Sequence, residues 1–316
     1  MTQTYSWFYN LLIDVLSPLI QNTISTQLTN AIQNVAQTKI NEVLKQVPIR
    51  QSIKTPLVFD IGLLRDPEFD SSSFRLYESG ASYDSLNPTE CPKDVCPQRV
   101  LPNTITQRMA QVYVSDYVAN SMGYAAYQSG FIHVEVTPDM VPSTSILKLN
   151  TNSLNGILPK LAATYPNASV YLDIVGTRAP AVTFNSTTEA TFTVYLQIEI
   201  SVGVKDEKVK AITIEGDISG SATVRTNNSI VYPAIGRAAT FNWNVTQSSI
   251  GDFNSKPLFG ATKLAYSTVT NVVNNKFKEG ISLPTVEGLE FVNPTLTWSD
   301  GFFSVEVDFV YHPPTL

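Results

Sequence analysis

Few residues in this sequence are of types that do covalent chemistry. The only two cysteines lie together in Cys91-Pro92-Lys93-Asp94-Val95-Cys96, and the only two histidines are His133 and His312. The cysteine spacing suits a short-loop disulfide, with two free thiols as the alternative. A zinc site would lack the ligands to complete four. His133 falls in a strand-like stretch, where a lone histidine is structural. No Gly-x-Ser-x-Gly elbow, phosphate-cradling glycine loop or histidine cluster occurs, and Asp116-Tyr117 reads as the polar face of a helix rather than an acid/base pair. The expectation is a protein that is not an enzyme and uses no cofactor and no metal.

Four asparagines carry a modification signal instead. Asn167-Ala168-Ser169, Asn185-Ser186-Thr187, Asn227-Asn228-Ser229 and Asn244-Val245-Thr246 match the N-glycosylation acceptor. Asn227 sits in a turn-like run, and Asn244 falls on the polar side of the alternation Ala239, Phe241, Trp243, Val245. With the cysteine pair, these triplets point to a secreted, extracellular glycoprotein.

Composition narrows the partners. Lys+Arg number 21 against 27 Asp+Glu, a net charge of -6, which argues against nucleic acid and against binding anionic surfaces by charge alone. No apolar run is long enough to cross a bilayer, because WFYNLLIDVLSPLI is broken by Asp14 and Pro18. No basic residue precedes Lys39, so the start does not resemble a signal peptide. A secreted protein numbered this way is expected to be a mature chain or a fragment.

The elements that would position any site read as two long helices, a sheet and an N-terminal stripe. Residues 107 to 130 are expected to form a central helix about 36 Å long, with Val114, Val118, Met122 and Ala125 on its apolar face and Asp116, Asn120 and Gln128 elsewhere. Residues 5 to 47 repeat apolar side chains at helical spacing, among them Ile20, Ile24, Leu28 and Ile32. That stripe needs covering. Leu57 to Leu63 and Phe74 to Glu78 suggest paired strands, and Gly80 to Thr104 a linker. Leu154, Ile157, Leu158 and Leu161 read as one short helix ending near Pro166. From Ala190 to Val204, apolar and polar residues alternate over roughly 50 Å of strand, long enough to demand strong coiling. Ile212 to Ile218, Ala239 to Val245 and a hairpin through Ser299-Asp300-Gly301 are expected to join it in one large antiparallel sheet. A last helix spans about Lys256 to Lys278, with Leu264, Val269, Val272 and Val273 apolar and Gly280 ending it.

Several short motifs occur in a telling order: Ser115-Asp116-Tyr117 with Asn120 and Gly130; Asp139-Met140-Val141-Pro142; Leu158-Pro159 followed by Pro166-Asn167; Ser249-Ile250-Gly251-Asp252-Phe253; and Leu283-Pro284-Thr285. In these the chain resembles the bactericidal permeability-increasing and lipopolysaccharide-binding family, which includes plasma lipid transfer proteins. The resemblance implies an α+β fold in which a long, strongly coiled antiparallel sheet wraps on long helices, a tubular lipid-binding barrel forming one half of a boomerang. It implies residues 1–48 as a helix left from a first barrel, 49–104 as central-sheet strands and the cysteine-containing linker, and 105–316 as the C-terminal lipid-binding barrel.

The function so implied is non-enzymatic: phospholipid or lipopolysaccharide acyl chains held in an apolar tunnel lined by Val114, Val118, Met122, Ala125, Leu264, Val269, Val272 and Val273. Lipid transport, transient contact with a membrane or lipid-particle surface, and an innate-immune, antimicrobial role follow from kinship. The cationic first barrel to which that role is chiefly attributed is not matched, and this chain is acidic. The stripe at 5 to 47 is expected to be covered by a missing N-terminal barrel, self-association or another protein. The alternative is a glycosylated extracellular interaction module with a filled or vestigial cavity.

Overall fold

The alternation over residues 190 to 204 becomes the spine of the molecule. In the computed structural model, residues 49–104, 106–141, 148–187, 189–227, 230–282 and 289–311 are described. The N-terminal stripe at 5 to 47, Leu283-Pro284-Thr285, Pro142 and His312 lie outside them.

In chain order the strands are β1 (Arg50–Lys54), β2 (Leu57–Asp60), β3 (Glu68–Phe69), β4 (Phe74–Arg75), β5 (Ala81–Asp84) and β6 (Ala110–Ser115). Helix α1 (Asp116–Gln128), β7 (His133–Val136), helix α2 (Pro159–Thr164), β8 (Val170–Gly176) and β9 (Ala181–Asn185) follow. Next come β10 (Glu189–Val204), β11 (Glu207–Asn227), β12 (Ile230–Ser248), helix α3 (Lys256–Phe277), β13 (Ile281–Ser282), β14 (Leu289–Ser299) and β15 (Phe302–Tyr311). The fold is α+β, mostly antiparallel sheet with few helices.

The main sheet runs β13-β12-β11-β10-β8-β7, with β9 beside β8 on the same edge of β10. Strands β10, β11 and β12 hold 16, 21 and 19 residues. Such lengths coil, and irregularities at Ile200/Ser201, Thr213/Ile214 and Gly220/Ala222 tighten the curl. The β10–β11 hairpin turns on Lys205 and Asp206, both at positive φ, as a two-residue turn matching strand twist requires.

Four expectations need correction. The central helix is shorter than 107 to 130, because residues 110 to 115 are strand β6, whose Val114 lies opposite Phe303 of β15. The run Val112-Tyr113-Val114 favours strand over helix. Second, the β14–β15 hairpin pairs with β6 in its own three-stranded sheet rather than in the main one. Third, the expected linker contains β5, which joins β1 and β2 in a further three-stranded sheet. Fourth, only Pro159–Thr164 of the expected short helix is helical: proline, with its fixed φ and missing N–H, starts a helix well but cannot continue one. Helix α1 ends where Gly130 takes positive φ and the Phe131 N–H reaches back to the Ala126 carbonyl at 2.9 Å.

The packed core sits at one end of the main sheet, where Leu158, Leu161 and Val170 close on Ile200, Val202, Ile212 and Ile214, all buried.

Candidate functional site

Strand alternation turns Ala190, Phe192, Val194, Leu196, Ile198, Ile200 and Val202 to one face of β10. Across the β10–β11 ladder, Phe192, Val194, Leu196 and Ile198 oppose Gly220, Ile218, Gly216 and Ile214. Beyond them on β12, Ile218 faces Phe241 and Gly216 faces Trp243. This inner face is closed at both ends. Ile200 and Val202 are 5% and 0% exposed at one end and Ala190 5% at the other, yet Phe192, Val194, Leu196 and Ile198 between them are only half-buried. Four consecutive inward apolar side chains thus stay incompletely covered over about 20 Å of strand.

Two glycines shape the floor. A Cβ on Gly216 would come within 2.6 Å of the Trp243 ring, and one on Gly220 within 2.7 Å of Phe192. At Gly216 the Asn242 carbonyl is nearer still, so a side chain there would displace the β12 backbone as well as the ring.

Helix α3 lies over β12 on this side. The Tyr266 hydroxyl donates to the Gly236 carbonyl at 2.9 Å and its ring meets Phe241 edge-on at 5.7 Å. Asn274 clasps both backbone groups of Ile235 at 2.8 Å. Burial pushes the Tyr266 phenol up from its ordinary value, keeping it a neutral donor.

Helix α1 serves a different junction, packed chiefly on β5 and β9. Its buried face keeps Ala125 as expected but takes in Asp116 and Asn120, which were expected elsewhere on the helix, and leaves Met122 out. Asp116, Asn120, Ser121 and Ala125 are buried, whereas Met122 is 39% exposed. Each buried polar group has a partner: Asp116 takes two hydrogen bonds from Arg99, and Asn120 clasps the N–H and C=O of Val182 at 2.8 and 2.7 Å. Val118 sits against Gly80, where a Cβ would be 2.9 Å away. Of the residues expected to line a tunnel, Val114 therefore lies on β6 and Val118, Met122 and Ala125 on α1. Leu264, Val269, Val272 and Val273 fall on α3, with side chains outside the described residues.

A recess of about 340 Å³ opens beside α1 among Arg50, Ser82, Tyr83, Glu90, Cys91 and Tyr117. Burial, then the neighbouring Glu90 charge, raises the Tyr117 phenol. Cys91 and Cys96 form a disulfide, 7% and 1% exposed, so the free-thiol alternative falls. Asn167, Asn227 and Asn244 are exposed; Asn185 is half-buried, its side-chain oxygen accepting from Thr187. His133 bonds Asp173 at 2.6 Å on the surface.

The half-open stretch on β10 was missed as a site by sequence reasoning. Its signal was the pair Gly216 and Gly220 in a strand otherwise rich in β-formers, since strand glycines mark close approach.

Fold and site together define an α+β protein built on a curled antiparallel sheet, with a long helix laid over the apolar face of its β12 strand. Residues 51–311 match the model of the LBP / BPI / CETP family, C-terminal domain, and the chain belongs to that family. It is 23% identical to the lipopolysaccharide-binding protein of Bos taurus, over 92% of this chain and 60% of that protein. It is 22% identical to the bactericidal permeability-increasing protein of Sebastes schlegelii, over 96% and 63%. It is 23% identical to the phospholipid transfer protein of Mus musculus, over 96% and 61%. The chain thus spans about 60% of the length of these relatives. A crystal structure of lipopolysaccharide binding protein is similar at TM-score 0.49 and 19% identity, covering 96% of this chain and 66% of that one.

Proposed function

We propose that this chain is a non-enzymatic, extracellular lipid-binding protein that holds phospholipid acyl chains along the inner face of the main sheet. The observation that carries the reading is the half-buried run Phe192, Val194, Leu196 and Ile198 between two buried ends. Hydrocarbon laid on it gains ~0.8 kcal/mol per buried CH₂. Leu264, Val269, Val272 and Val273, on the helix that covers β12, are assigned to the opposite wall. Residues 105–316 are the lipid-holding unit and 49–104 the connecting strands; the helix expected over 1–48 lies outside the described residues.

Names of relatives support lipid as the ligand class: lipopolysaccharide-binding protein and phospholipid transfer protein. With a net charge of -6, neutral acyl lipid fits better than the strongly anionic lipopolysaccharide. A disulfide fits an oxidising compartment.

The test is extraction of the purified folded chain with organic solvent, followed by mass spectrometry. Co-purified acyl lipid is expected from the native chain, and its depletion from Leu196→Trp, which fills the trough. Lipid-free protein that also fails to take up added phospholipid would sink the reading.

A further inference from the structure

Away from the trough, residues 63 to 78 form a hairpin whose two sides differ sharply. Phe69 and Phe74 are a directly paired couple, their rings stacked at 4.6 Å, yet 74% and 56% exposed. Strand alternation puts Leu76, 46% exposed, on their side. Leu63 and Leu64 at the base are 52% and 70% exposed. Solvated aromatic rings in such company mark an interaction surface rather than scattered surface apolarity.

The hairpin is built to hold those rings still. Across Glu68 and Arg75, the other paired couple, runs a closed polar network: Tyr77 donates to Glu68 at 2.9 Å, and Arg65 lies 3.5 Å over the Tyr77 ring. Arg75 bonds Asp70 at 2.8 Å. The Asp70 carboxylate also accepts from the backbone N–H and hydroxyl groups of Ser72 and Ser73, closing the turn. The charged groups are spent on one another, and the rings are left without a partner in this network.

Three features choose the occupant. Stacked rings make a ridge, which enters a soft surface more readily than a protein pocket already filled with side chains. With roughly 200 Å² for a full phenylalanine, the four apolar side chains on the ring side, Phe69, Phe74, Leu76 and Leu63, expose on the order of 400 Å², short of the ~800 Å² per partner of a stable protein interface. Two arginines stand against four carboxylates, Asp66, Glu68, Asp70 and Glu78, so attraction to anionic lipid is excluded. We propose that the 63–78 hairpin is a lipid-surface docking element, whose Phe69–Phe74 ridge partitions into the interface of zwitterionic phospholipid. This deepens the lipid-binding reading above, on which the preference for lipid over protein partly rests.

Flotation of the full chain with phosphatidylcholine vesicles tests it. The native chain is expected to float, little affected by added salt, and phosphatidylserine in the vesicles to weaken it. Phe69→Ser with Phe74→Ser should lower partitioning about tenfold or more, in line with the apolar area removed, while thermal unfolding and extractable lipid stay as in the native chain. Phe69→Trp should still float, with its added indole emission moving to the blue on vesicles. The proposal is overturned if the native chain stays at the bottom of the gradient or if the double variant floats equally well. It is likewise overturned if the double substitution abolishes a dimer in sedimentation, which would make the ridge a protein contact. Loss of flotation with lipid content intact separates this surface from the trough.

Discussion

Arg99 grips Asp116 through two parallel hydrogen bonds, Nε to Oδ1 at 2.9 Å and Nη2 to Oδ2 at 2.7 Å, and Asp116 is fully buried. The pair ties the cysteine-containing segment to the start of α1 and to the β14–β15 turn, because the Asp116 N–H donates to the Gly301 carbonyl at 2.9 Å. Removing the cation leaves a buried carboxylate uncompensated. Arg99→Met is therefore expected to cost about 3 kcal/mol in urea unfolding, at the low end for a buried pair because Arg99 is a third exposed. Arg99→Met with Asp116→Leu should be less damaging than Arg99→Met alone. Equal or additive losses would show that the pair carries no coupling.

Asn120 does for β9 what Arg99 does for the turn. Its amide both donates to and accepts from Val182, so no residue lacking either group can replace it. Asn120→Ala is expected to lose both bonds to Val182 and cost about 2 kcal/mol, and the Val182 amide should exchange faster in hydrogen exchange. Unchanged exchange would mean β9 is held by its ladder with β10 alone.

These two junctions explain where the sequence was legible. Alternation over residues 190 to 204 located β10 to within a residue, because each side chain's face is set locally. Helix α3 was equally plain, expected over about Lys256 to Lys278 and found at Lys256–Phe277, with Gly280 at positive φ just beyond it. Helix α1 was not. Two of its four buried positions are Asp116 and Asn120, which look like solvent-facing residues until Arg99 and Val182 stand beside them. Neither partner lies within one helical turn, so no periodicity could reveal which face was in. The site suffered likewise: a strand face was visible, but whether neighbours covered it depended on helices elsewhere in the chain.

The raised phenols predict an alkaline limit to stability. Burial is the first cause of the upward shift for both Tyr117 and Tyr266. Below the ordinary phenol value of about 10, both states are neutral and the contribution is complete. As pH rises past it, the unfolded chain ionises first, and folding stability falls until the folded phenols titrate as well. Urea midpoints should therefore begin to drop as pH rises past about 10, and level off only once the folded phenols ionise. Tyr266→Phe should cost about 1 kcal/mol near neutrality, for the lost bond to Gly236, and flatten part of the alkaline decline. A decline as steep as in the native chain would place its source in other groups.

Ile212 and Leu196 lie on the same inner face and should answer oppositely to a change in volume. Ile212 is 0% exposed against Leu158 and Leu161, so Ile212→Ala leaves a cavity and is expected to cost about 3 kcal/mol without altering lipid content. Leu196 is half-buried and faces Gly216, with the half-buried Val194 and Ile198 on either side of it along β10. Enlarging it to tryptophan should cost little stability, because overpacking is destabilising only where the space is already taken. It should instead reduce bound acyl lipid. Thermal melts and lipid extraction on the two variants measure both quantities. If Leu196→Trp unfolds the protein as readily as Ile212→Ala, the middle of the sheet is as tightly packed as its end, and no room remains there for hydrocarbon.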